Sequence, residues 1–264
     1  MNYNGVILVG AGPGDPELLT VKALRAIERA DIIVYDRLVS EEIMALIPRG
    51  VPKIYAGKSC KHKAMPQEEI NQLLVTLSKK YARVVRLKGG DPFMFGRGGE
   101  EMEALRAAKV PHEIIPGITS AQGCAAAAGI PLTHRGLAGS VRFITGHRQD
   151  ATSAPLELNW PSLADPDTTL VIYMGLVNIA EIVKNLVAHG VASDTPATII
   201  ERGTTPQQRV FTARLSALPA TVEAEKVQSP SLIIIGKVAA LADMADAGYD
   251  FAQKYVRVNR NRRT

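Results

Sequence analysis

The stretch Leu87-Lys88-Gly89-Gly90-Asp91-Pro92-Phe93-Met94-Phe95-Gly96-Arg97-Gly98-Gly99-Glu100-Glu101 decides how the rest of the chain is read. Val84, Val85, Leu87 and the aliphatic stem of Arg86 mark the end of a buried strand before it, and a charged helix follows. Between strand and helix lie five glycines, where an ordinary turn needs about one or two. Without Cβ atoms, such a loop can bring backbone amides within hydrogen-bonding reach of a ligand. Asp91 and Pro92 stiffen it. Arg97 and Glu100 place one cation and one anion at the mouth of the helix, which suits a polar ligand better than packing.

Upstream of this loop, short β-branched runs alternate with amphipathic segments. Val6–Gly10, Asp31–Asp36, Lys53–Gly57, Arg83–Leu87 and His112–Pro116 read as strands bounded by Gly, Pro or Asp. Glu17–Ala30, Val39–Ile47, Pro66–Tyr81 and Gly98–Lys109 read as helices, the first with Leu18, Val21, Leu24 and Ile27 on one stripe. Such alternation predicts a parallel sheet with helices on its faces and ligands at the carboxyl ends of the strands, where the glycine loop falls. Pro116-Gly117 marks a break. Beyond it come an alanine-rich helix at Thr119–Ala128 and strands at Ser140–Gly146 and Thr169–Met174. A helix at Asn178–His189 follows, then strands at Pro196–Glu201, Gln208–Ala213 and Ser231–Lys237, some of them adjacent and antiparallel. The expected organisation is a parallel-sheet α/β domain over residues 1–117, a mixed-sheet α/β domain over 118–245 and a basic tail over 246–264. His147–Asp167 lacks periodicity and reads as a surface loop anchored by Trp160, the only tryptophan.

Composition bounds the function. With 264 residues, 46% hydrophobic and 22% charged, this is the balance of an ordinary globular protein. The formal charge of +5 mildly favours acidic ligands. Arg257, Arg260, Arg262 and Arg263 supply much of it from the last eight residues, which read as a solvated terminus. A nucleic-acid enzyme would carry a basic stripe with interleaved aromatics; at 5% aromatic, the chain has none. Only Cys60 and Cys124 are present, which suits a reducing, cytoplasmic compartment. Cys60-Lys61-His62 has no second ligand cluster and does not make a metal site. No apolar run reaches membrane-spanning length.

Val9-Gly10-Ala11-Gly12-Pro13-Gly14-Asp15-Pro16 follows a strand and precedes a helix, and Asp36 ends the next strand, as in dinucleotide-binding units. The spacing argues against that reading. Gly14 comes too soon after Gly12 to pack helix on strand, and Pro13 removes an amide that a pyrophosphate would use.

The two Gly-Asp-Pro elements, Gly14-Asp15-Pro16 and Gly90-Asp91-Pro92, bring in a resemblance. With Val34-Tyr35-Asp36-Arg37-Leu38-Val39, Gly57-Lys58, the Leu87–Glu101 loop, Ile115–Thr119 and Gly129-Ile130-Pro131-Leu132-Thr133-His134-Arg135, the chain resembles the tetrapyrrole (corrin/porphyrin) methylases from about Val6 to Leu241. Gly-Asp-Pro alone is shared across that superfamily. The extended loop with Pro-Leu-Thr-His-Arg downstream is similar to the branch acting on uroporphyrinogen III.

The resemblance implies a tetrapyrrole methylase fold, with S-adenosylmethionine in the cleft between two domains and S-adenosylhomocysteine as product. It places Pro13, Gly89, Gly90, Asp91, Met94, Thr119, Ser120, Met174 and Gly203 at the cofactor. Met94 and Ser120 replace a branched aliphatic and an alanine of the relatives, which points to backbone contacts there; Ser59 replaces an arginine. It makes Asp36 the proton acceptor and Lys58 the donor. Arg97 and Arg135 are the forked cations for the substrate's carboxylates, with Glu100 orienting an arginine or a pyrrole N–H and His134 assisting. Read from the residues alone, Asp36 also suits a helix cap, Lys58 a solvated lysine and Met174 a core position.

The implied activity is conversion of uroporphyrinogen III to precorrin-2 through precorrin-1, by methylation at C-2 and C-7, for sirohaem, cobalamin or haem d1. A methylase of a later corrin intermediate or of ribosomal RNA is the alternative, and a module that binds the cofactor without chemistry is a third reading. The family implies a homodimer acting on a small-molecule tetrapyrrole. Some relatives add an amino-terminal dehydrogenase and ferrochelatase domain; with Val6 opening the first strand, methylation alone is expected.

Overall fold

A computed structural model of the chain describes residues 4–57, 65–147 and 155–242. The chain packs as two units, residues 1–124 and 125–264. Lys58, Ser59, the Cys60-Lys61-His62 stretch and the basic tail lie outside the described residues.

The first unit is built on five parallel strands: β1 (Gly5–Gly10), β2 (Ile32–Tyr35), β3 (Lys53–Tyr55), β4 (Arg83–Lys88) and β5 (His112–Ile115), in the order β3-β2-β4-β1-β5. Every residue of β1 is buried, as a central strand covered on both faces requires. Alternate side chains serve opposite layers. Ile7 and Val9 meet α1 (Val21–Glu28) and α2 (Glu41–Met44) through Ala23, Ile27 and Ile43. Val6 and Leu8 meet α3 (Gln67–Ser78) and α4 (Gly98–Ala107) through Ile70, Leu74 and Leu105. The helix α5 (Ser120–Ala127) follows β5, and the division between the units falls inside it.

The first helix differs from the sequence expectation. Asp15 caps a single 3-10 turn at Pro16–Leu18, and Thr20 Oγ1 then accepts from the Ala23 N–H at 3.0 Å, so α1 starts at Val21. Leu18 therefore belongs to a different turn, Val21 is 64% exposed, and the buried stripe is Ala23, Ile27 and Ala30. The segment expected to be helical over Val39–Ile47 keeps only α2, capped by Ser40.

The second unit contains β6 (Ser140–Thr145), α6 (Trp160–Leu163), β7 (Thr168–Tyr173), α7 (Ile179–Ala188), β8 (Pro196–Glu201), β9 (Arg209–Arg214), α8 (Leu218–Ala224) and β10 (Ser231–Ile235). Its sheet runs β6-β7-β10-β8-β9, parallel between β6 and β7 and antiparallel elsewhere, so it is mixed as expected. The described part of the 147–167 segment is more than a surface loop. Asn159 caps α6, and Leu156, Trp160 and Leu163 are buried against Leu170, Ile172 and Ile182. The helix α8 was not expected from sequence; it has seven residues, too few to show a period. Among the described residues no helix is long and apolar enough to cross a membrane.

Trp160 is 9% exposed and bridges this segment to the second core. Trp160→Ala is expected to lower the unfolding free energy of the second unit by about 3 kcal/mol, read as a shifted midpoint in urea with an unchanged slope.

Candidate active site

The carboxyl ends of β1 and β4 adjoin, and their outgoing connections part there. The chain leaves β1 across β4 to reach β2, and leaves β4 across β1 to reach β5. Such a reversal of direction opens a crevice above the sheet. The two loops at it are joined by their own backbones: Gly12 N–H donates to Gly90 O at 3.1 Å and Gly90 N–H to Gly12 O at 2.6 Å. The loop after β5 closes on the same point. A Cβ on Gly117 would stand 2.2 Å from Gly90 O, and one on Gly10 would stand 2.4 Å from Gly117 N. Asp91 fastens this junction, accepting from Gly117 N–H at 3.1 Å through Oδ2 and from Phe93 N–H at 2.8 Å through Oδ1.

Most glycines of the Leu87–Glu101 loop serve the protein's own packing. A Cβ on Gly89 would lie 2.5 Å from Leu38 Cβ; on Gly96 and Gly98 it would lie 2.9 and 2.3 Å from Pro92 O. Gly90, at φ +68°, meets nothing closer than Ser120 Oγ at 3.7 Å, and Gly99 faces open space. Phe95 and Arg97 hold left-handed conformations at φ 51° and 57°, which non-glycine residues rarely adopt. Phe93 and Phe95 are exposed. Arg97 forks onto Glu100, with Nε–Oε1 at 2.8 Å and Nη2–Oε2 at 2.7 Å. That hydrogen bonding holds the Glu100 carboxyl below the usual carboxylate range and the guanidinium above its own. Both side chains are about half exposed, so the pair orders the loop tip and adds little stability.

Asp36 stands just beyond β2, partly exposed. Its Oδ1 accepts from Leu38 N–H at 3.0 Å, closing a turn, while Ser40 is the residue that caps α2. Its Oδ2 faces Arg86 Nη2 at 3.4 Å. Behind it lies a cluster that the sequence reading missed: Arg86, Lys88 and Glu101 are buried together, with Gln67 beside them. Burial first, and then repulsion from Arg86, pulls the Lys88 ammonium below the usual lysine range. The available signal was the pair of charges at alternate positions in an apolar strand.

In the second unit β7 and β8 both run antiparallel to β10, so their carboxyl ends share one end of the sheet. Met174 follows β7 at φ 54° and is 47% exposed, which departs from a core position. Gly203 follows β8, buried, between Arg202 at φ 47° and Thr204 at φ 66°. A β-branched residue in that region is strained, and such strain gathers at binding sites. His134 and Arg135 are exposed in a turn closed by paired backbone bonds between His134 and Ala138. Thr133 to Gly139 and Asp167 line an open depression of about 620 Å³.

The family model for tetrapyrrole (corrin/porphyrin) methylases matches residues 5–219. The chain belongs to this family. The siroheme synthase of Azotobacter vinelandii is 55% identical over 238 residues, which are 90% of this chain and 51% of that protein. The siroheme synthase of Nitrosospira multiformis is 54% identical over 233 residues, covering 88% and 49%. The chain thus spans about half the length of the curated relatives it matches. Among solved structures, the uroporphyrin III C-methyl transferase of Thermus thermophilus is similar at a TM-score of 0.76 and 40% identity, covering 90% of this chain and 94% of that one. The same enzyme complexed with S-adenosyl homocysteine gives 0.74 and 42%, covering 90% and 99%. A cobalt precorrin-4 methyltransferase gives 0.78 at 27%, covering 89% and 95%.

The first unit gathers Gly89, Gly90, Asp91, Met94, Arg97 and Glu100 on one loop. Pro13 lies beside α5, where a Cβ on Gly123 would meet its Cγ at 2.4 Å, and Thr119 and Ser120 open that helix. Met174, Gly203, His134 and Arg135 belong to the second unit.

The junction makes a sharp demand. Gly117→Ala is expected to force the β1, β4 and β5 loops apart and to lower the unfolding free energy of the first unit by about 2 kcal/mol, read as a shifted midpoint in urea while the far-ultraviolet dichroism stays unchanged.

Proposed function

We propose that this chain is an S-adenosylmethionine-dependent C-methyltransferase that converts uroporphyrinogen III to precorrin-2 through precorrin-1, by methylation at C-2 and C-7. The observation that carries the reading is that one internally braced loop bears both a polar cradle and, a few residues on, an exposed forked cation. The cradle is Gly90, where a Cβ would meet nothing closer than Ser120 Oγ at 3.7 Å, flanked by Asp91, Thr119 and Ser120. These groups fit the amino acid end of the cofactor, and exposed Met174 offers a soft surface for adenine. Pro13, Gly89, Met94 and Gly203 complete this set in our reading.

S-adenosylmethionine supplies an electrophilic sulfonium methyl when bound. An electron-rich pyrrole carbon attacks it without activation, so the chain's task is in-line positioning and removal of one proton per transfer. Asp36 accepts that proton and Lys58 is the donor. Arg97 and Arg135 bind substrate carboxylates, Glu100 presenting the Arg97 guanidinium and His134 assisting. The same reading gives a cytoplasmic homodimer that holds no metal and binds neither nucleic acid nor membrane.

Anaerobic incubation with enzymatically made uroporphyrinogen III and S-adenosylmethionine is expected to yield a product heavier by two methyl groups. Mass spectra showing no such product would overturn the reading; turnover of a later corrin intermediate instead would favour the alternative. Arg97→Ala is expected to lower kcat/KM for the tetrapyrrole by roughly a hundredfold with cofactor affinity within about twofold. A matching collapse of cofactor affinity would move Arg97 from the substrate to the cofactor.

A further inference from the structure

The proton acceptor is backed by an unusual arrangement of charge. Arg86 and Lys88 lie on the face of β4 toward α3 and α4, and each is 3% exposed. Both donate to one oxygen, Glu101 Oε1, Arg86 through Nε at 3.0 Å and Lys88 through Nζ at 3.0 Å. Glu101, in the first turn of α4, is 0% exposed, and its Oε2 has no hydrogen-bond partner among the described residues. Buried ions of this kind are poor stabilisers, since apolar side chains of equal volume pack as well or better. The cluster nonetheless extends to the edge of the site. Arg86 gives Nη1 to Leu87 O at 3.1 Å and turns Nη2 toward Asp36 Oδ2 at 3.4 Å, so Glu101 fixes the guanidinium that faces Asp36.

We propose that Glu101 is a positioning residue for Asp36, acting through the Arg86 guanidinium that it fixes, and that Lys88 supplies the second buried cation of the set. This rests on the reading of Asp36 as proton acceptor. The charged groups facing the set are Asp36 beyond β2, Arg86 and Lys88 from β4 and Glu101 from α4; Glu100, Arg97 and Glu68 stand toward the rim, and α3 adds the Gln67 amide. In each transfer the carbon–methyl bond forms as the sulfonium–methyl bond breaks, and the proton that the resulting cationic ring must lose elsewhere passes to Asp36. Asp36 is partly exposed, so that proton passes on to solvent before the second methylation.

Lys88→Met removes one cation and leaves Arg86 between two carboxylates. The acid limb of the kcat profile is then expected to move to higher pH by about half a unit or more, with cofactor affinity within about twofold. Glu101→Gln is expected to cut kcat by roughly tenfold or more at an almost unchanged KM for S-adenosylmethionine, and Glu101→Asp, which restores the charge, to recover part of it. Lys88→Gln replaces Lys88→Met where the latter does not fold. An acid limb that stays in place, or a kcat loss matched by an equal loss of cofactor affinity, would overturn the proposal and leave the cluster structural. Titration of the Asp36 carboxyl carbon by NMR, with and without Lys88→Met and in the absence of substrate, is expected to show the same upward shift. If the unsubstituted chain makes no methylated tetrapyrrole, the functional reading fails, and the titration alone still decides the network.

Discussion

The paired backbone bonds between Gly12 and Gly90 are the contact on which the first unit's site depends. Parallel strands normally release their loops at the carboxyl edge, free to diverge. Here the ladder between β1 and β4 continues past both strands as an antiparallel bridge, and the β5 loop enters so closely that Gly10 and Gly117 leave no room for a Cβ. Three loops that would otherwise move separately become one surface. Asp91 extends the surface by spending a carboxylate oxygen on each side of the junction. The far half of the loop is braced differently, with Gly96 and Gly98 closing onto the Pro92 carbonyl.

Beneath this surface the sheet breaks the usual rule for its class. A central parallel strand is expected to be apolar on both faces, and β4 is so only toward α1 and α2, where Val85 and Leu87 point. Toward α3 and α4 it alternates Val84 with Arg86 and Lys88. Desolvating two cations is tolerable only with a buried anion at hand, and the chain supplies it from the helix that the glycine loop leads into. The ion cluster and the loop therefore constrain each other: Glu101 can reach β4 only if the loop returns α4 to a fixed place.

Strand positions were legible because short β-branched runs bounded by Gly, Pro and Asp have few other readings, and the mixed second sheet followed from strands that lie adjacent in sequence. The losses have specific causes. A cap at Thr20 divides one apparent helix into a turn and a helix, and the stripe rotates with the new start. The helix α8 opens with Leu218 and Pro219 and offers only Val222 as a further large apolar residue, so no period could be read. At the site, a missing Cβ looks the same in sequence whether a ligand or the protein's own backbone fills the space; Gly89, Gly96 and Gly98 proved to be the second kind. The pairing of Arg86 and Lys88 with Glu101 spans a loop and a helix start, and no local pattern announces it.

The bracing also bears on how such a site could change its substrate. A loop that closes by motion can be retuned through its length and hinges, but this one is fixed at one half by backbone pairing and at the other by close contact with Pro92. Its two left-handed non-glycine residues, Phe95 and Arg97, lie between those fixed points, so their strained geometry is imposed by the scaffold. Arg97 then needs only Glu100, three residues on along the first turn of α4, to hold its fork in one orientation. Preorganisation of this kind leaves side-chain identity as the free variable. Selection for a different ligand would act on exposed residues such as Phe93, Phe95 and Arg97, and leave Gly12, Gly90, Asp91 and Gly117 as they stand.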